Sequence, residues 1–418
     1  MLKQIEGSQG VAEAVALCRP HVVCAYPITP QTHIVEGIGA MVKAGVLENC
    51  EFINVESEFA ALSVAIGASA VGARAYTATA SQGLLFMAEA VYNAAGLGLP
   101  IVMTIGNRAI GAPINIWNDH TDSMALRDAG WIQLHAETNQ EAADLHIQAF
   151  RLAEMLSCPV MVCMDGFILT HAFERIDIPT QDQVDRFLPP FEPVQELDPE
   201  NPYSIGAMVG PEAFTEVRYL AHQKQVEALE CIPDVAAEFA SVFGRESGGL
   251  VRPYRIDGAE TIVVALGSVN GTIKDVVDQE REAGGKIGSV SICSFRPFPL
   301  AELCDLVQGA KRLVCVEKSL APGLGGILAS NTRMALRGRP MPVYTVIAGL
   351  GGRAITRKSL AGVFRRAAAD SLEDLTFLDL NWDAVHQQMA RARATRHSGP
   401  IAENLLMALN PGLVRRVP

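Results

Sequence analysis

Apolar positions along the chain fall into short unbroken runs separated by longer segments with helical spacing. The runs HVVCAYPI (21–28), EFINVES (51–57), ARAYTATA (73–80), PIVMTIGN (100–107) and PVMVCMDG (159–166) have the length of strands. Between them lie patterns such as QEAADLHIQAFRLAEML (140–156), whose apolar residues recur at three and four. Unbroken apolar strands alternating with helices predict a parallel sheet covered on both faces. The pattern pauses at DIPTQDQVDRFLPPFEPVQELDPENPYSIG (177–206), proline-rich and acidic, which suits an ordered connection over the surface. A long helical pattern from about Glu212 to Phe243 follows. A second α/β unit begins near Ala259, with strand-like runs TIVVALGS, KIGSVSICSF, RLVCVEKS and PVYTVIAGLGG. After about residue 367 the pattern dissolves into DSLEDLTFLDLNWDAV and a basic ending, a peripheral extension. Four segments are therefore expected: 1–175, 176–245, 246–367 and 368–418.

Composition narrows the function. A chain of 418 residues that is 49% hydrophobic and 19% charged can bury two or three cores. A net charge of -12 argues against nucleic acid or an anionic membrane as the main partner. The start MLKQIEGSQG lacks the apolar core of a signal peptide, and no stretch reads as a membrane span. The small-residue run Ala60–Ala73 reads as tight helix packing. Nine cysteines stand without a CxxC pair, which is neither a zinc nor an iron–sulfur pattern. Buried reduced thiols in a cytoplasmic protein are expected, with no metal held by this chain.

Chemistry is expected on the loops that leave the strands of the first unit, because open parallel sheets bind ligands at the carboxyl ends of their strands. Those loops carry Thr29 in YPITP, Glu58 in NVESEFAA, Ser81-Gln82-Gly83 in TASQG and Arg108 in GNRA. Thr29, Glu58 and Arg108 each have a plainer alternative. Pro27 and Pro30 stiffen the elbow around Thr29, but Pro30 also suits the first turn of a helix with Thr29 as its N-cap. Glu58 opens a helix of small apolar residues, where its carboxylate is poorly solvated unless paired; it also suits a helix N-terminus. Arg108 offers a two-point grip for a carboxylate, or a partner for Asp119 or Asp122. In the second unit, Gly267–Thr272 leads into a helix whose N–H groups can receive an anion, but neither it nor the GLGG at Gly323–Gly326 is a nucleotide fingerprint, and tight turns with close packing are the favoured reading of both.

Taken in order, YPITP, the ESE that begins a helix, TASQG, GNRAIGAPINIWNDHTD and MDGFILTH resemble the α subunit of heteromeric 2-oxoacid:acceptor oxidoreductases of the pyruvate:ferredoxin type, a group that includes phenylglyoxylate dehydrogenase. ALGSVNGT, SFRPFP, VEKS, GLGG and AGLGGR continue the resemblance to about residue 365. The resemblance implies a thiamine-diphosphate-binding, pyrimidine-type α/β domain with a parallel sheet, followed by a transketolase C-terminal-like α/β domain. It also implies that thiamine diphosphate is shared with a β subunit. That subunit would hold the diphosphate through Mg²⁺ and a GDG motif, absent from this sequence. Electrons would pass to [4Fe-4S] clusters on partner subunits, with γ and δ chains completing the complex, ferredoxin or NAD as final acceptor and coenzyme A as co-substrate. By the same resemblance Glu58 meets the pyrimidine, Pro27, Ser81 and Gln82 line the coenzyme, and Thr29 and Arg108 hold the carboxylate of a small 2-oxoacid, pyruvate or phenylglyoxylate. Gln31 and Thr32 depart from the YPITPS common in pyruvate enzymes. In WNDHTD, His120 is expected to pack or hydrogen-bond rather than act as an acid or base. The reading from another class is a noncatalytic subunit that binds acyl-CoA or a nucleotide on its glycine turns.

Overall fold

A computed structural model describes residues 1–395 and 398–410. The chain divides into two units, Met1–Thr376 and a smaller one from Phe377 onward. In chain order the first strands are β1 Leu2–Glu6, β2 Val22–Ala25, β3 Glu51–Asn54, β4 Ala75–Thr79, β5 Val102–Asn107, β6 Ile132–His135, β7 Val160–Asp165 and β8 Phe173–Asp177. They are followed by β9 Val251–Tyr254, β10 Thr261–Ala265, β11 Ile287–Ile292, β12 Ser294–Arg296, β13 Arg312–Glu317, β14 Val343–Ile347 and β15 Leu375–Phe377.

A seven-stranded sheet runs in the order β12-β6-β7-β5-β4-β2-β3. Its pairs from β6 to β3 are parallel, so the loops after β2, β4, β5 and β7 emerge along one edge. Alternation along β5 sends Val102 into one apolar core and Met103 and Ile105 into the other, as a sheet covered on both faces requires. The edge strand β12 belongs to the second half of the sequence and pairs antiparallel with β6. A six-stranded sheet has the order β15-β14-β13-β10-β11-β9, parallel between β14, β13, β10 and β11, with β9 antiparallel. β1 and β8 form a separate antiparallel ribbon.

The expected long helix spans Phe214–Phe243 and contains Pro233. It buries Ala228, Ile232, Val235, Phe239 and Phe243, a stripe at three- and four-residue spacing that packs on the helix Asn139–Leu156. The proline-rich connection lies along the first sheet's helices, with Leu197 N–H donating to Ala70 O at 2.7 Å and Gln195 Nε2 to Leu97 O at 2.5 Å. All nine cysteines are free thiols, six of them buried. Among the described residues no helix is long and apolar enough to cross a membrane.

Candidate active site

The elbow after β2 does not start a helix. The helix begins at Thr32 with Gln31 in the N-cap position, so Thr29 caps nothing and Pro30 lies outside the first turn. Gln31, fully buried, instead closes the elbow on itself: its Nε2 donates to Tyr26 O at 3.0 Å, and its backbone N–H to Ile28 O at 3.0 Å. The Thr29–Pro30 peptide is cis and the Thr29 side chain is exposed. Arg108, at the end of β5, reaches across to this elbow. Its Nη1 donates to Thr29 O at 2.9 Å and its Nε to Asn115 O at 3.2 Å. Among the described residues the guanidinium forms no ion pair, so the alternative of an Asp119 or Asp122 partner for its charge fails. Burial lowers its pKa below the usual guanidinium range, with Asp122 opposing. Nη2 keeps its donors free among the described residues.

Glu58 begins the helix Glu58–Ala70, but Ser57 caps that helix, its Oγ accepting from Ala60 N–H at 3.2 Å. The Glu58 carboxylate is therefore not engaged as a cap. It is buried, with 8% of the residue exposed, and has no hydrogen-bond partner among the described residues. It lies over Gly83 of TASQG: a Cβ there would stand 2.6 Å from Glu58 Oε1 and 2.7 Å from Thr79 Oγ1. Thr79 Oγ1 is also buried without a partner among the described residues. With the helix capped by Ser57, the Glu58 carboxylate is left free for a group brought from outside the chain.

Asp122 ties these loops together, and sequence reasoning assigned it only as a possible partner for the Arg108 charge. Fully buried, it accepts from Asn107 Nδ2 at 2.8 Å, Ser123 N–H at 2.8 Å, Ser81 N–H at 2.9 Å and Arg108 N–H at 3.0 Å. Burial pushes its carboxyl up to about 6, against the pull of those four hydrogen bonds. Ser81 is held at φ +50°, in the left-handed region, by this bond and by its Oγ donating to Ala109 O at 2.5 Å. The Ser81 hydroxyl also meets Gln82 Oε1, and Gln82 Nε2 lies against Gly111, facing that loop rather than Glu58. Pro27 is exposed on the elbow. A continuous series of contacts thus joins Thr29, Arg108, Asp122, Ser81, Gly83 and Glu58.

A second buried cluster pins this edge to the other sheet. Asp165, at the end of β7, accepts from His120 Nε2 at 2.6 Å, Lys318 Nζ at 2.8 Å and Ser268 N–H at 2.9 Å, and meets the Ser268 hydroxyl. Burial alone would raise the Asp165 carboxyl, but Lys318 and His120 hold it well below the usual carboxylate range. His120 is 1% exposed and hydrogen-bonded, as expected for a structural residue. Beside it, burial and His120 push His135 down to about 3. The Gly267–Thr272 turn therefore receives the chain's own carboxylate. So does the helix after GLGG, where Glu317 accepts from Ile327, Leu328 and Ala329 N–H at 2.7, 2.8 and 3.2 Å. Both turns are filled from within, in line with the reading of tight, closely packed turns.

The loop after β5 also docks on AGLGGR. Gly351 N–H donates to Asp119 Oδ2 at 3.1 Å, and Asn115 Nδ2 to Gly351 O at 3.2 Å. Gly352 lies against Trp117, leaving no room for a side chain between them. Trp117 and Ile116 stay 52% and 42% exposed, with Trp117 against the Phe167 ring at 4.7 Å.

Comparison with known proteins gives concordant matches. Residues 13–236 match the family described as pyruvate flavodoxin/ferredoxin oxidoreductase, thiamine diP-bdg, and residues 259–360 match pyruvate:ferredoxin oxidoreductase core domain II. The pyruvate synthase subunit PorA of Methanosarcina barkeri is 48% identical over 385 residues, covering 90% of this chain and 96% of its own. PorA of Methanothermobacter thermautotrophicus is 45% identical over 88% and 95%, and the ketoisovalerate oxidoreductase subunit VorA of Pyrococcus abyssi 41% over 85% and 90%. Among solved structures, 2-oxoglutarate:ferredoxin oxidoreductase from Magnetococcus marinus aligns with a TM-score of 0.65 at 19% identity, over 87% of this chain and 65% of that one. A split-gene transketolase in an inactive β4 tetramer aligns with a TM-score of 0.53 at 15% identity, over 87% and 99%. These two likenesses establish the fold.

Proposed function

We infer, from the premise that this chain belongs to the pyruvate:ferredoxin oxidoreductase family as the α subunit of a thiamine-diphosphate-dependent 2-oxoacid oxidoreductase, that its substrate is pyruvate. The pyruvate synthase names of its relatives support the choice. The observation that carries the site is the buried Glu58 carboxylate, unpartnered among the described residues and seated on a glycine. Residues 1–175 and 246–367 are proposed as its pyrimidine-type and transketolase C-terminal-like domains.

The donor set fits the pyrimidine edge of thiamine diphosphate, because Glu58 lacks a donor and Gly83 leaves clearance beside it. When bound, that coenzyme supplies the nucleophilic carbon and the electron sink that decarboxylation of a 2-oxoacid requires. Glu58 would hold a proton at a ring nitrogen. Arg108, steered by Thr29 O and Asn115 O, would present Nη2 to the substrate carboxylate, with the Thr29 hydroxyl beside it. Asp122 fixes the backbone of both Arg108 and Ser81, which sets the spacing between the carboxylate grip and Glu58. Diphosphate, Mg²⁺ and [4Fe-4S] clusters would lie with the β, γ and δ partners, which makes the isolated chain inactive. The noncatalytic alternative loses its basis, because Asp165 and Glu317 occupy the helix ends it would use.

The test is to assay the purified complex with pyruvate and with phenylglyoxylate, using coenzyme A and a viologen dye. A higher kcat/KM for pyruvate is expected; the reverse would overturn the substrate. Glu58→Ala should abolish dye reduction with either acid while the complex elutes at its normal size, and retained turnover would remove Glu58 from the mechanism.

A further inference from the structure

Three segments remote in sequence bring a carboxylate and two imidazoles together outside the site described above. Glu6 precedes the helix Gly7–Leu17, His33 lies in the first turn after the elbow, and His171 follows β7. Glu6 Oε1 is 2.7 Å from His33 Nδ1 and 4.0 Å from His171 Nδ1, and one ligand atom from each residue lies within 4.8 Å of the others. The two rings face each other with centroids 4.8 Å apart. The same His171 Nδ1 lies 2.7 Å from Thr170 Oγ1, a hydrogen bond that an ion at Nδ1 would displace, and Thr170 Oγ1 accepts from Phe167 N–H at 2.7 Å. Phe167 packs on the same ring at 4.7 Å. A surface ion pair would need only one of the histidines. The second, oriented on the same carboxylate, completes the donor set of a divalent ion.

We propose that Glu6, His33 and His171 bind a first-row divalent transition ion, zinc foremost, through two imidazole nitrogens and one carboxylate oxygen, with a fourth position open to water. This donor set suits zinc, cobalt or nickel and disfavours magnesium, which takes oxygen ligands. Zinc bonds of about 2.0–2.1 Å require neighbouring ligand atoms roughly 3.3 Å apart in a tetrahedron, and the separations of 2.7 and 4.0 Å straddle that value. Closing the site calls for rotation of the His33 and His171 side chains, 48% and 31% exposed, with His171 Nδ1 leaving Thr170 Oγ1. The ion would fasten the elbow-bearing helix to the loop after β7 and to the chain's first turn. The proposal stands on these residues and is independent of the substrate assignment.

The test uses the full-length chain. Co²⁺ titration read by visible absorption, with Zn²⁺ competition, should give one site per chain with the band intensity of four- or five-coordination. Zn²⁺ should raise the melting temperature by mass action. His33→Ala and Glu6→Gln should each weaken binding by about tenfold or more and remove the thermal shift, with the metal-free melting temperature unchanged. His33 is largely exposed, so its variant keeps the test valid if Glu6→Gln disturbs folding. Absence of Zn²⁺ binding at submillimolar concentration would mean an ion pair only. Binding that survives both variants, for example at the half-buried thiols of Cys50, Cys231 or Cys304, would equally overturn the site.

Discussion

Replacing Asp122 by Asn should damage the reaction far more than the fold, and the geometry gives both magnitudes. Each oxygen of Asp122 accepts two hydrogen bonds: Oδ1 from Asn107 Nδ2 and Ser123 N–H, Oδ2 from Ser81 N–H and Arg108 N–H. Whichever oxygen becomes NH₂, two donors then face a donor. Losing two hydrogen bonds to a charged acceptor costs about 3–6 kcal/mol. Burial raises this carboxyl from 3.8 to about 6, so neutralising it returns on the order of 3 kcal/mol at neutral pH. The net loss is therefore roughly 0–3 kcal/mol, and the chain should still fold. The site has no such compensation where the NH₂ replaces Oδ2, because the Arg108 and Ser81 loops then lose their common anchor. A displacement of about 1 Å costs on the order of a hundredfold in rate. In the assembled complex, kcat/KM for 2-oxoacid-dependent dye reduction should fall by about that factor, with a modest drop in melting temperature. The pH dependence separates the two effects. A carboxyl raised in the folded state favours folding most below its unfolded value of about 3.9, and that contribution is lost as pH rises to about 6. Activity, which needs the four-bond carboxylate, should instead fall below about pH 6, a limb that Asp122→Asn removes. A variant with unchanged kcat/KM and the same acid limb would refute the reasoning.

Gly83→Ala should lower kcat while the fold survives, because its Cβ would stand 2.6 Å from Glu58 Oε1; unchanged kcat would show that the carboxylate need not lie there. Lys318→Met removes the ammonium that faces the buried Asp165 carboxylate, and a loss of about 3–5 kcal/mol in denaturant unfolding is expected. Gly326→Ala would drive a methyl into Glu317 and Thr345, displacing the carboxylate from three N–H groups; calorimetry should read a loss of about 2–4 kcal/mol.

Much of this architecture was legible in the chain. HVVCAYPI, ARAYTATA, PIVMTIGN and PVMVCMDG each contain a strand of the first sheet, because a strand buried on both faces must be apolar throughout. β6 escaped notice because Gln133 and His135 interrupt its apolar run; both are buried and their polarity is local business of the core. Glu58 stood out because an acid opening the run FAALSVAIGASA has few ways to be solvated. The helix-start reading of Thr29-Pro30 was equally consistent with local rules, and Gln31 decides against it by folding back on Tyr26 O. The Gly267 turn is tightly packed, as its plainer reading had it, but the residue that fills it was not legible. Asp165 lies about a hundred residues from the N–H group it accepts, and no local pattern announces a carboxylate supplied from so far away. The Glu6, His33 and His171 cluster is invisible for the same reason, since its spacing resembles no metal motif.

The short strand Ser294–Arg296, donated by the later half to flank β6, bears on how the gene could be cut. Splitting the reading frame near residue 250 would strip β6 of its neighbour, leaving a row of bare amides and carbonyls on the upstream fragment. Such a fragment would be prone to self-pairing, whereas two fragments made together could mend the seam by exchanging this one strand. The two halves are thus bound to a shared inheritance, whatever chemistry either hosts.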